Sequence, residues 1–193
     1  MSESHIEGIA LLALDMQAGF LRVADPDGST TQRCRFAITA ARRLGIPVLF
    51  TEQSPEKLGE TLPELRQVAP EAPRFPKTSF SAFGAEGLPE WLADHQTKQI
   101  LLCGIETAIC VYQTSLAARH RDFGVTLLTD AVSGRRPEDG KRVLEFLQAR
   151  TEVVLLPSET VFYSILGNAG HEAFRDFTRL VKESTSRTEG KTI

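Results

Sequence analysis

A chain of 193 residues has the length of one domain, and with 41% hydrophobic and 24% charged residues it can build a core without disulfide or metal staples. The 22 Lys and Arg stand against 25 Asp and Glu, a formal net charge of -3, and the basic residues are dispersed rather than striped, which argues against nucleic acid as a partner. The longest apolar run is far below the ~20 residues of a membrane span, and Met1–Glu7 (MSESHIE) lacks the basic and apolar regions of a signal peptide, so the expectation is a soluble, cytoplasmic protein that does not engage membranes.

Residues 1–7 read as a short N-terminal tail, residues 8–182 as the folded domain and residues 183–193 as a polar C-terminal tail without apolar period. Gly8–Leu14 (GIALLAL) is a continuous apolar run ending at Asp15, suited to a strand buried on both faces. In Thr30–Leu44, Cys34, Ala37, Ile38, Ala41 and Leu44 share one helical face, and Gly45 and Pro47 stop the helix. Pro47–Thr51 (PVLFT) is the second strand. Glu52–Phe83 is rich in Pro, Gly, Ser and Thr and predicts a long functional loop, with only Leu62–Val68 turning helical.

A short helix over Gly87–His95 precedes the strand Gln99–Gly104 (QILLCG), and Thr107–Arg121 is helical. Val125–Asp130 (VTLLTD) is a strand, Pro137–Arg150 a helix and Glu152–Leu156 (EVVLL) the last strand, followed by helices over Ser158–Leu166 and His171–Lys182. Strands alternating with helices predict an α/β fold with a mostly parallel sheet covered on both faces. Ligands in such folds sit outside the carboxyl ends of the strands, which picks out Asp15, Glu52 and Gln53, Gly104–Cys110, and Asp130–Ser133.

The cysteines Cys34, Cys103 and Cys110 and the four histidines have no zinc or redox spacing, so a structural metal is not expected. Cys110 follows a strand end and sits in the first turn of a helix, where backbone N–H groups and the helix dipole favour a thiolate and could stabilise an oxyanion. Equally, it could be a small core hydrophobe. Cys103 lies inside an apolar strand and Cys34 on a buried helical stripe, so both read as core. Asp15 could act as a general base or serve only as a turn cap. Lys77, in FPKTSFSAFG, could hold a carboxylate ionised and steady a thiolate, or be a solvated surface charge. One parallel sheet would bring these three to one edge.

The order Asp15, Lys77, Cys110 on this strand pattern resembles the isochorismatase-like cysteine hydrolases. The segments LLALDMQAGF, TEQSPEKLGET, KTSFSAFG, LLCGIETAICVYQTSLAA, TDAVSGR and SETVFYSILG are similar to isochorismatase domain-containing proteins in particular, over about residues 8–182. The resemblance implies a three-layer αβα sandwich with a doubly wound, Rossmann-like sheet. It further implies Cys110 as nucleophile, Asp15 as general acid and base, and Lys77 as their support. A cis peptide at Ile105–Glu106 and an oxyanion hole from the backbone N–H groups of Glu106 and Cys110 are implied too, as is a homo-oligomer, a dimer or larger.

The activity the resemblance implies is hydrolysis of a C–N bond in a small amide, carbamoyl or ureido compound, with no organic cofactor. Nicotinamidases of this superfamily carry metal-binding histidines after the second strand. Thr51-Glu52-Gln53-Ser54-Pro55 has none, which turns the reading away from a metal and from nicotinamide. Isochorismatases proper lack a cysteine at the position of Cys110. Phe20, Phe80 and Phe83 are candidate pocket residues, or else core aromatics. The competing class is a catalytically idle binding or scaffold protein that keeps the fold.

Overall fold

The structure, a computed structural model, describes residues 6–189, with side chains through residue 184. Six strands form one sheet: β1 (Ile9–Leu14), β2 (Val48–Gln53), β3 (Arg74–Lys77), β4 (Gln99–Ile105), β5 (Gly124–Ser133) and β6 (Val154–Leu156). Their order is β3-β2-β1-β4-β5-β6 and every pairing is parallel. The helices are α1 (Ala18–Ala24), α2 (Ser29–Arg43), α3 (Pro55–Leu58), α4 (Pro63–Val68), α5 (Leu88–Asp94), α6 (Tyr112–Arg119), α7 (Pro137–Arg150), α8 (Ser158–Leu166) and α9 (Phe174–Glu189).

The central strand explains the layering. Successive side chains of a strand point to opposite faces, so one fully apolar strand feeds two cores. Leu11 and Ala13 join a cluster with Phe36, Phe162 and Phe177 beneath α2, α8 and α9. Ala10, Leu12 and Leu14 join a second cluster with Leu88, Val111 and Leu147 beneath α5, α6 and α7. The result is a doubly wound αβα sandwich. The chain winds outward from β1 to β3, returns to β4 beside β1, and winds the other way to β6. The reversal between β1 and β4 opens a crevice at their carboxyl ends.

Three elements differ from the sequence reading. The segment 52–83 is no loop: it contains the end of β2, α3, α4 and the edge strand β3, whose register pairs Gln53 with Lys77. Pro76 inside a four-residue run hides that strand, and an edge position tolerates the missing donor. Short α1 carries too few turns to show a period. The C-terminal segment is helical through Glu189, because Phe177 and Leu180 anchor the first turns of α9 in the core and propagation then adds one hydrogen bond per residue. Residues 1–5 and 190–193 of the two expected tails lie outside the described residues.

Candidate active site

Asp15 leaves β1 in the left-handed backbone region, at φ 52°, an uncommon conformation for a residue with a side chain. Its own N–H donates to the Thr51 carbonyl at 3.1 Å. Its carboxylate accepts from Thr51 Oγ1 on Oδ1 and from Lys77 Nζ on Oδ2, both at 2.7 Å. Neighbouring Gly104 stands at φ +113°, and a Cβ there would lie 2.2 Å from the Leu14 carbonyl oxygen. Only glycine lets β4 approach β1 this closely, one residue before Asp15.

Lys77 arrives from two strands away as the last residue of β3. Its side chain and that of Asp15 are 0% and 1% exposed. Beyond Asp15, the ammonium meets Gln53 Oε1 at 2.7 Å, the carbonyls of Ser79 and Phe80 at 3.1 and 3.3 Å, and Cys110 Sγ at 3.8 Å. Gln53 is held in turn. Its N–H donates to Gln17 Oε1, its carbonyl accepts from Gln17 Nε2, and its own Nε2 donates to the Thr78 carbonyl. Gln17 Nε2 also donates to the Gly59 carbonyl, which ties the segment after α3 to the site. A buried cation needs such a cage, because each unpaired donor would carry a desolvation cost.

Cys110 lies in a π-helical turn, Thr107–Val111, between β4 and α6. The Glu106 carbonyl accepts from the N–H groups of Ile109 and Val111 at 3.0 and 3.2 Å, and the Ile105–Glu106 peptide bond is cis. Cys110 is 6% exposed.

The thiol departs from the sequence expectation. Burial first, then the negative charge of Asp15, push it up to about 12; Lys77 and the Glu106 N–H pull the other way and lose. A helix N-terminus favours a thiolate only when the sulfur is not also desolvated and facing a carboxylate. The resting site is therefore a neutral thiol beside a carboxylate–ammonium pair. Such an arrangement can move a proton from sulfur to carboxylate as a C–S bond forms, with the Glu106 N–H near the new charge.

The other candidates separate. Cys34 and Cys103 are fully buried; Cys34 Sγ donates to the Ala131 carbonyl at 3.2 Å, and its contact with Cys103 together with burial pushes it well above the usual thiol range. Phe83 belongs to the second core, with Phe123 5.7 Å away and the Arg121 guanidinium over its ring. Phe20 packs against the first core, on the other face of the sheet, and Phe80 is 54% exposed. The three phenylalanines thus differ in setting, two packed in opposite cores and one at the surface. Asp130, picked out by its strand end, is bound to Arg33 and Ser158. Among the described residues no three His, Cys, Asp or Glu side chains gather as a metal site, and no helix is long and apolar enough to cross a membrane. Thr51 and Gln17 were missed in the sequence. The signal for both was position, since they flank strand ends that the parallel sheet brings together.

The model of the isochorismatase domain matches residues 9–157. Isochorismatase domain-containing protein 2 of Bos taurus is 34% identical over 179 residues, covering 92% of this chain and 85% of that protein. Isochorismatase domain-containing protein 1 of Danio rerio is 34% identical over 171 residues, 88% of this chain; the chain spans 59% of that longer relative. Among solved structures, the MAR1 ribonuclease of Caenorhabditis elegans superposes with a TM-score of 0.82 at 31% identity, covering 91% of this chain and 90% of that one. The Escherichia coli YcaC gene product, described as an octameric hydrolase of unknown specificity, shares the fold at a TM-score of 0.72 and 20% identity, covering 93% and 95%.

Proposed function

The chain belongs to the isochorismatase family of hydrolases, and on that premise we propose that it is a cysteine hydrolase cleaving the C–N bond of a small amide, carbamoyl or ureido compound. The observation that carries this reading is the contact of Asp15, Lys77 and Cys110: a carboxylate and a thiol share one buried ammonium, 2.7 and 3.8 Å from its nitrogen. In the first half-reaction Cys110 Sγ attacks the carbonyl carbon while its proton passes to Asp15. The C–N bond then breaks, and Asp15 returns the proton to the leaving nitrogen. Water attacks the resulting thioester, Asp15 takes its proton, and the acid departs as that proton goes back to sulfur. The N–H groups of Glu106 and Cys110 serve the oxyanion in both halves.

Lys77, held by Gln53, Ser79 and Phe80, aligns Asp15. With the thiol at about 12, no free thiolate accumulates; sulfur loses its proton only against a bound substrate. We place the reaction in the cytoplasm, in a homo-oligomer, the assembly also described for YcaC. Ribonuclease activity, the description attached to the C. elegans neighbour, fits less well with a chain of net charge -3 and no basic stripe.

The test is ammonia release from a panel of small amides, carbamoyl and ureido compounds, with an RNA arm beside it. Wild type runs against Cys110→Ala, and mass spectrometry follows the acyl-thioester. Turnover of one panel member that disappears in Cys110→Ala supports the reading. Turnover that survives, or cleavage of RNA alone, overturns it.

A further inference from the structure

Glu106 enters the proposed mechanism through its main chain, yet its side chain is 11% exposed and engaged. Its Oε2 accepts from the Arg135 backbone N–H at 3.2 Å, with Arg135 Nε at 3.5 Å. Arg135 sits just past β5, in the connection to α7. That connection and the first turn of α7 reach the same spot: a Cβ on Gly134 would lie 3.5 Å from Glu106 Cβ and 3.6 Å from Thr107 N, and one on Gly140 3.4 Å from Thr107 Cβ, ordinary contact distances. The β4–β5 register supplies the approach, since pairing jumps from Leu102–Leu127 to Gly104–Val132 and then sets Ile105 opposite Ser133. Glu106 is thus clamped twice. Its carbonyl accepts from Ile109 and Val111, and its carboxylate accepts from the next strand's connection. The same residue carries the N–H that the proposed mechanism assigns to the oxyanion.

We infer that the Glu106 carboxylate is a positioning residue: by accepting from the Arg135 backbone N–H it fixes the Glu106 peptide as an oxyanion donor. A backbone N–H stabilises a developing oxyanion only if it is held in place beforehand, and a shift of about 1 Å can cost roughly 100-fold in rate. The hydrogen bond itself comes from a neutral amide, with the Arg135 guanidinium farther off at 3.5 Å, so what the contact needs first at Glu106 is an acceptor. The inference rests on the cysteine-hydrolase reading and concerns one step within it.

The experiment therefore uses two probes that part company at the oxyanion. Acetylation of Cys110 by p-nitrophenyl acetate forms the S–C(=O) bond and expels nitrophenolate, with the thiol proton passing to Asp15, through a tetrahedral oxyanion. Alkylation by iodoacetamide forms an S–CH2 bond and expels iodide, with no oxyanion. Both are followed on the intact chain by mass at Cys110, at alkaline pH. Glu106→Ala and the longer Glu106→Met lower the ratio of acetylation to alkylation roughly tenfold or more, and Glu106→Gln, which restores an acceptor, recovers most of that loss.

If Glu106→Ala unfolds, as judged by circular dichroism, the Met and Gln pair carries the same contrast at matched length. An unchanged ratio in folded Ala or Met variants overturns the inference, as does a Gln variant no better than Met. Those failures leave wild-type acetylation intact and so spare the hydrolase reading. A folded wild type that alkylates but never acetylates at Cys110 overturns both.

Discussion

Two polar clusters cross this sheet, and on paper they look alike. One joins Asp15, Lys77 and Cys110; the other joins Asp130, Arg33 and Ser158. Each is a carboxylate, a cation and a group of nucleophilic type. In the second, the Arg33 side chain gives Asp130 Oδ2 two nitrogens, Nε at 2.7 Å and Nη2 at 2.6 Å. Arg33 Nη2 also donates to Ser158 Oγ, which donates to Asp130 Oδ2, while the Ser158 N–H occupies Oδ1. Every group there answers another, and the set pins α2 and α8 to β5.

At the first cluster the ammonium is over-supplied with acceptors, Cys110 Sγ at 3.8 Å being the most distant, and no short hydrogen bond locks the thiol into a closed circuit. Burial differs as well: Arg33 and Asp130 are about a quarter exposed, Lys77 and Asp15 almost not at all. Chemistry sits where a buried group is left with something to give; the closed circuit is a joint.

The largest expected effect separates the clusters by activity. Cys110→Ala abolishes turnover, by roughly 10⁴-fold or more, and leaves a folded protein, whereas Ser158→Ala retains turnover on the same substrate; steady-state ammonia release measures both. Next is stability. Lys77→Met strands a buried carboxylate and lowers unfolding free energy by about 3–5 kcal/mol, while Arg33→Met, at a partly exposed pair, costs about 1 kcal/mol; urea melts at neutral pH decide. Equal losses would erase the distinction drawn here.

A finer effect lies in pH. Because folding raises the Cys110 thiol to about 12, the neutral thiol favours the native state, fully so below the ordinary thiol range, and that contribution is lost as pH climbs through about 12. Wild type should therefore lose stability on alkaline titration with a slope that Cys110→Ala lacks. Iodoacetamide should label Cys110 slowly at neutral pH, with a rate rising about tenfold per pH unit well past the usual thiol range. A rate that levels off near neutrality would mean a standing thiolate.

The alternation of apolar runs with amphipathic ones was enough to read the α/β architecture, because fully buried parallel strands show as uninterrupted Val, Ile and Leu, as in QILLCG. The strand-end rule and the family resemblance together pointed to Asp15, Lys77 and Cys110. What could not be read was anything set by contacts between distant segments. β3 escaped because four residues with a proline carry no period, and with it went the reason Lys77 reaches Asp15 at all, its register against Gln53. The direction of the Cys110 shift was misread for the same reason: the helix end is local and visible, whereas desolvation comes from loops far away in sequence. Which of the two readings of Phe83 applies is likewise a matter of packing: it joins the second core and faces Phe123.

Gly104 sets a boundary on how this scaffold could be re-tailored. Since its missing side chain is what seats β4 against the Leu14 backbone, the separation of Asp15 from the Cys110 turn is dictated by main chain touching main chain. Side chains on segments such as 54–62, 78–84 and 134–137, which hold Gln17, Gln53, Lys77 and Glu106 through main-chain groups, can then be exchanged to admit other molecules without disturbing that gauge. The position that cannot be edited is the one that contributes no atoms to the site, so a library built to change substrate should randomise those three segments and hold residue 104 fixed.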